Sequence, residues 1–227
     1  ATVVLSGRRR APLDETAMLI ERAGGMAIVD VADVASVTDV EATVDRIVKR
    51  HGRIDILVNS AGINMRNRHW SDMTPESWTK VIEVNLNGAF YTAAAVMPIM
   101  RAQRDGLIIS ISSWSGKHVG YVSGVPYTAA KHAMNAMSDS INIENCHYGI
   151  RACVICPAEV ATPILDRRPM PPPKEERDRM VQMADMGEAI LFVARMPRHV
   201  CINELVISPT WNRAYIGGPD RVIPRDL

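Results

Sequence analysis

Leu107-Ile-Ile-Ser-Ile-Ser-Ser113, followed by Pro126-Tyr127-Thr-Ala-Ala-Lys131 and then Ile150-Arg-Ala-Cys-Val-Ile-Cys156, is the stretch that decides the fold. Two short runs rich in isoleucine flank a segment, Pro126–Tyr148, whose apolar residues recur at helical spacing. Both runs are too apolar to leave one face in water. Strands covered on both faces belong to parallel sheets, and parallel neighbours need a crossover such as the helix between these two.

The alternation extends outward on both sides. Thr2–Ser6, Met26–Val31 and Ile54–Asn59 read as earlier strands and Asn203–Ile207 as a later one. Helical patterns cover Pro12–Ala23, Val37–His51, roughly Pro75–Gln103 and Met186–Ala194. The expected fold class is α/β, a doubly wound parallel sheet in a single domain over residues 1–227. Ala161 to Glu176 stands apart: Pro163, Pro169 and Pro171 to Pro173 cannot continue a sheet, and the position just past a strand favours a lid over a site.

Composition removes several function classes. A net charge of +1 supplies no field for nucleic acid or an acidic membrane surface. The longest mainly apolar stretch, Gly88 to Met100, falls short of a membrane span, and Ala1-Thr-Val-Val-Leu5 carries no basic segment of a signal peptide, so the chain reads as cytoplasmic. Cys153 and Cys156 have the CxxC form, but their odd offset on a strand points them to opposite faces, as core thiols. No second CxxC and no histidine spacing completes a metal site, so none is expected. Gly120-Tyr-Val-Ser-Gly124 places its serine one position too late for a hydrolase elbow.

The chemistry is carried by Tyr127 and Lys131. Four residues apart on a helix that Pro126 helps to start, they lie one above the other. A free phenol near pKa 10 is a poor base at neutral pH, and bringing it to about 7 takes roughly 4 kcal/mol. An ammonium about 4 Å away supplies roughly that much at an effective dielectric near 20. Ser113, at the end of the preceding strand, is placed to donate a hydrogen bond to a substrate oxygen.

With these residues in view, nearly the whole chain resembles the short-chain dehydrogenase/reductase family, whose Rossmann-type sheet binds NAD(P). Asn59-Ser60-Ala61-Gly62 resembles its NNAG turn, with Ser60 for the second asparagine. Asp33-Val34 is similar to the pair flanking the adenine. Val84-Asn85-Leu86-Asn87-Gly88 resembles the segment whose asparagine joins a Ser-Tyr-Lys-Asn tetrad, which implies Asn85, Ser113, Tyr127 and Lys131 as the catalytic residues. Pro157-Ala158-Glu159-Val160-Ala161-Thr162 resembles the stretch gripping the nicotinamide carboxamide, with Ala158 for the usual glycine. The implied cofactor residues are therefore Arg8, Asp33, Val34, Asn59, Ala61, Gly62, Tyr127, Lys131, Pro157, Val160 and Thr162. Trp114, His118, Tyr121 and Glu159 are candidates to shape a substrate pocket, or else plain loop surface.

Ser6-Gly7-Arg8-Arg9-Arg10 lacks the acidic residue that an NAD-preferring member carries at Gly7, and Arg8 suits a 2′-phosphate. The ending Ile202 to Thr210 resembles a branch of NADP-linked reductases. NADP(H) is expected, with NAD(H) the alternative. The family's TGxxxGxG loop has no counterpart, and Thr2–Ser6 matches its second strand. A parent protein would then carry about thirty further N-terminal residues, including a strand between Thr2–Ser6 and Ile54–Asn59. Without that strand, two unpaired edges about two 4.8 Å spacings apart, poor dinucleotide binding and doubtful stability are expected. The apolar faces around Phe90–Met100 and Ala129–Met137, which family members pair between subunits, imply a homodimer or homotetramer. The leading function is an oxidoreductase acting on a small carbonyl or alcohol substrate. The alternative is a degenerate, non-catalytic scaffold of the same fold.

Overall fold

The β-branched runs form six strands: β1 (Thr2–Gly7), β2 (Met26–Val31), β3 (Ile56–Asn59), β4 (Gly106–Ile111), β5 (Ile150–Pro157) and β6 (Glu204–Ile207). Seven helices, α1 (Arg10–Arg22), α2 (Val37–His51), α3 (Pro75–Ile82), α4 (Gly88–Gln103), α5 (Val125–Asn145), α6 (Lys174–Arg177) and α7 (Met183–Ala194), alternate with them. These assignments come from a computed structural model that describes residues 1–215. Local signals explain the boundaries. Ser36 caps α2 by accepting from the Asp39 N–H, Thr74 does the same for α3 from Ser77, and Gly52 ends α2 at a φ of 73°.

All strand pairs are parallel, as the apolar runs require. They do not make one continuous sheet. Among the described residues β1 pairs only with β2, and β3, β4, β5 and β6 form a second sheet in that order. Among the described residues nothing pairs with the free edges of β1 and β3, and Val3, Ile56 and Val58 stand exposed there.

The four-stranded sheet is packed on both faces, which is why its central strands are buried along almost their whole length. Ile108, Ile150 and Ala152 meet Ala93, Val96 and Met100 of α4, Val44 of α2 and Ile141 of α5. Leu107, Ile109, Cys153 and Ile155 meet Val193 and its neighbours on α7. Cys153 and Cys156 accordingly face opposite sides: Cys153 packs under α7, while the Cys156 thiol lies 3.7 Å from Asn135 Nδ2 on α5. Cys146 and Cys201 are exposed.

Two expectations need correction. The pattern over Pro75–Gln103 is not one α-helix: residues Glu83–Asn87 form a π-turn between α3 and α4. Helix α7 starts at Met183, three residues earlier than its apolar spacing suggests, because Gln182 and Asp185 form a reciprocal capping box. The proline-rich segment holds a 3₁₀ turn, Pro163–Arg167, and the short α6, and its base is closed by a bridge between Val160 and Val181. At the start of α4, Gly88 presses against Val34, where a Cβ would stand only 2.9 Å from Val34 Cγ2. This contact brings the loop after β2 against the π-turn.

Candidate active site

The carboxyl ends of the strands in an open α/β sheet are where ligands bind, and the family-like residues converge there. Ser113 follows β4 in extended conformation, with its Oγ accepting from the Ser115 N–H at 3.1 Å. Helix α5 begins two residues before Tyr127, with Pro126 and Tyr127 both in its first turn. Tyr127 leans on Ile63, Val81 and Val84. Lys131 is 3% exposed; its Nζ lies 5.6 Å from the Tyr127 ring centroid and donates to the Ile111 carbonyl at 2.6 Å.

Asn85 sits inside the π-turn and is fully buried. Its Nδ2 donates to Ile63 O at 2.9 Å, and its Oδ1 accepts from Ile63 N at 2.8 Å. A Cβ built on Gly62 would stand 3.8 Å from Asn85 Oδ1 and 4.0 Å from Lys131 Nζ. The Gly62 backbone, the Asn85 amide and the Lys131 amine therefore share one small space beneath Tyr127. A π-turn widens the helix locally, which lets the Asn85 side chain reach a loop that a regular α-helix would leave out of register.

The electrostatics differ from the sequence expectation. Burial, the largest influence, pushes the Tyr127 phenol above its ordinary value; the Ser113 hydroxyl opposes this first, then the Arg168 and Arg68 guanidinium groups. Burial also pushes the Lys131 ammonium down to about 8. Desolvation outweighs the cations here, so in this state the phenol is neutral at physiological pH. The expected lowering is not seen, and Lys131 is not among the leading influences on the phenol.

Other family-like residues fall into two groups. Asp33 and Arg8 meet beyond the ends of β2 and β1, with 3.8 Å between Arg8 Nη1 and Asp33 Oδ2, and both stay partly open to solvent. Ser60, Ala61 and Gly62 are an exposed turn, whereas the Asn59 amide turns inward, donating to Ala89 O at 3.3 Å and accepting from Thr92 Oγ1 at 2.7 Å. Asn59 thus ties β3 to α4. Pro157 is buried at the end of β5, and Val160 and Thr162 lead into the proline-rich segment.

Of the pocket candidates, Trp114 stacks at a tilt on His118, 4.5 Å between centroids, and meets Tyr215 edge-on. Tyr121 is largely exposed and lies flat on His69 at 4.0 Å. Glu159 is fully engaged. Burial pushes its carboxyl up, but hydrogen bonds from Arg213 and Arg168 outweigh that and hold it below its ordinary range. Arg213 also reaches Glu176. Arg68, which carries no sequence signal, is 2% exposed at the edge of this cluster. Among the described residues, no set of three or more His, Cys, Asp or Glu side chains is grouped to hold a metal, and no helix is long and apolar enough to cross a membrane.

Residues 1–171 match the model of the family described as short chain dehydrogenase. The chain belongs to that family. This short-chain dehydrogenase is 34% identical over 209 residues to an uncharacterised oxidoreductase of Staphylococcus saprophyticus, across 91% of this chain and 86% of that one. It is also similar to the solved structure of a 3-ketoacyl-ACP reductase from Sinorhizobium meliloti, at 30% identity and a TM-score of 0.80, covering 91% of this chain and 87% of that one. A metagenomic short-chain oxidoreductase solved in complex with NADP gives 27% identity and a TM-score of 0.79, with 93% and 87% covered. The protein is an NAD(P)-dependent oxidoreductase of the short-chain dehydrogenase type.

Proposed function

We propose that this short-chain dehydrogenase interconverts a carbonyl and a secondary alcohol with NADP(H), and that Tyr127 moves the proton. The observation that supports this most is the pairing of Tyr127 with the buried Lys131 on one turn of α5, beside Ser113 at the end of β4.

The residues present fit a dinucleotide at both of its ends. Lys131 has three N–H donors and spends one on Ile111 O within normal hydrogen-bond distance, so it keeps donors for a ribose. Gly62 leaves the space above Lys131 and Asn85 open. Arg8 and Asp33 are long-range partners at best, 3.8 Å apart and half-exposed, so Arg8 is free to turn to a 2′-phosphate. Between these ends, no glycine-rich turn at a helix N-terminus lies among the described residues. The NADP held by the metagenomic relative supports the same preference.

A bound nicotinamide supplies or accepts the hydride. The chain's own residues handle the proton. A neutral Tyr127 phenol is in the form that donates to a carbonyl oxygen. Ser113 Oγ orients that oxygen and stabilises charge developing on it. Lys131, titrating near 8, remains mostly protonated at neutral pH, and its positive charge stabilises the phenolate left when Tyr127 gives its proton to the substrate oxygen. Asn85 holds the Ile63 backbone and so fixes the floor of the site.

Turnover of NADPH and NADH over a panel of ketones, keto acids and sugar-like polyols tests the reading. Tyr127→Phe should lower kcat by roughly 10² to 10⁴. Near-normal turnover by that variant overturns the role of Tyr127, and a higher kcat/KM with NADH overturns the cofactor assignment.

A further inference from the structure

Arg68 lies in the loop after β3, outside every family-like motif, yet it is 2% exposed. Among the described residues no carboxylate lies within ion-pair distance of it. Its guanidinium is satisfied by carbonyls instead. Nε donates to Met65 O at 2.5 Å, Nη1 to Val122 O at 3.2 Å and Nη2 to Arg167 O at 2.9 Å. These three oxygens belong to three separate segments: the Arg68 loop itself, the 3₁₀ turn that precedes α5, and the 3₁₀ turn of the proline-rich segment.

The backbone adds a second attachment. Val125 N donates to Arg68 O at 3.0 Å, and Gly124 takes a φ of 74° with a virtual Cβ only 2.6 Å from Arg68 Cβ, Cγ and O. The first turn of α5, one residue before Pro126 and two before Tyr127, is thus pressed onto Arg68. On the far side, Arg167 is followed by Arg168, whose bond to Glu159 joins the same segment to the end of β5.

Burying a cation without a counter-ion is unfavourable. Burial, then repulsion from Arg168, pushes the guanidinium down to about 10. A group retained at that cost must supply something a neutral residue cannot. Only the planar fork of arginine presents donors in three fixed directions at once.

We infer that Arg68 is a positioning residue that holds the Pro163–Arg168 lid at a set distance from the Tyr127 turn and so shapes the substrate-side wall of the cleft. This deepens the assignment of Tyr127 as proton donor and rests on it. Arg68 touches no reacting atom. Its removal should loosen substrate placement while leaving the Tyr127, Lys131 and Ser113 geometry formed.

The test compares wild type, Arg68→Lys and Arg68→Met by hydrogen exchange and by steady-state kinetics. In Arg68→Met, amides of residues 163–168 and 121–125 should exchange roughly tenfold faster, the effect of losing one or two hydrogen bonds, while β4 and β5 keep their protection. KM for the carbonyl substrate should rise roughly tenfold with kcat much less affected. Arg68→Lys keeps the charge but reaches only one of the three carbonyls, so it should restore KM partially. Unchanged exchange in the lid, or a fall in kcat at constant KM, overturns the inference. Should Arg68→Met fail to fold, faster lid exchange in Arg68→Lys upholds the inference and unchanged exchange overturns it. Exchange needs no turnover: a protein inactive on every substrate would sink the Tyr127 assignment, and its lid amides would still uphold or overturn the clamp.

Discussion

Asn85 and Ile63 exchange two hydrogen bonds, 2.8 and 2.9 Å long, across 22 residues of sequence. Both residues are buried, so neither amide of the pair has water as an alternative partner. Asn85→Ala would strand the Ile63 N–H and C=O together. The expected loss is about 2–4 kcal/mol of stability, from two unsatisfied buried groups. Asn85→Asp keeps the acceptor for Ile63 N but sets a buried carboxylate oxygen against Ile63 O, so near neutral pH it should lose at least as much. Urea denaturation of the three proteins measures both differences.

Lys131 predicts a pH dependence with a definite sign. Its folded value, about 8, lies below its ordinary 10.5. Below pH 8 both folded and unfolded chains carry the proton and the folded state bears the full cost of burying the charge. Between about 8 and 10.5 the unfolded chain holds the proton and the folded one does not, so stability contributed at this site rises with pH. The stability of Lys131→Met relative to wild type should therefore shrink across that window, by roughly 3 kcal/mol at most. Chemical denaturation at pH 7, 9 and 10.5 reads this; a constant difference contradicts it.

Arg8 stands exposed at the end of β1, 3.8 Å from Asp33. Removing it as Arg8→Ala should lower the NADPH-to-NADH ratio of kcat/KM by about tenfold, the worth of one charge-assisted contact to a phosphate. Raising the salt concentration should shrink the same ratio in wild type, because the contact is screened.

Two glycines with the same backbone conformation should respond differently to alanine. Gly52 has a φ of 73° and open space around its virtual Cβ, so Gly52→Ala should cost about 1 kcal/mol from the left-handed conformation alone. Gly124, at a φ of 74°, would drive its Cβ into Arg68 at 2.6 Å. Gly124→Ala should cost more than about 2 kcal/mol, strain and overlap together. Thermal melts of both variants decide it.

The strands were legible because parallel sheets write their burial into near-continuous apolar runs, and their observed ends lie within two residues of those runs. Tyr127, Lys131 and Ser113 were legible as a constellation because helical and strand periodicities fix which side chains meet. The π-turn was not, since the apolar positions from Val81 to Ala89 remain compatible with an uninterrupted α-helix. Arg68 was beyond reach for another reason: its partners lie up to 99 residues away, and an arginine in a loop ordinarily reads as solvated surface. The state of the phenol was misjudged because pairwise attraction to Lys131 can be estimated from spacing, whereas desolvation depends on how the whole cleft closes around Tyr127.

The bridge between Val160 and Val181 pins both ends of the proline-rich segment at one point of the scaffold. Between those ends the segment is held to the cleft by side-chain bonds, Arg68 to Arg167 O and Arg168 to Glu159 among them. Lengthening the excursion adds only about 0.6 kcal/mol of closure entropy per doubling. A longer or shorter excursion thus needs little from the scaffold at its base, provided that it still offers Arg68 a carbonyl in place of Arg167 O.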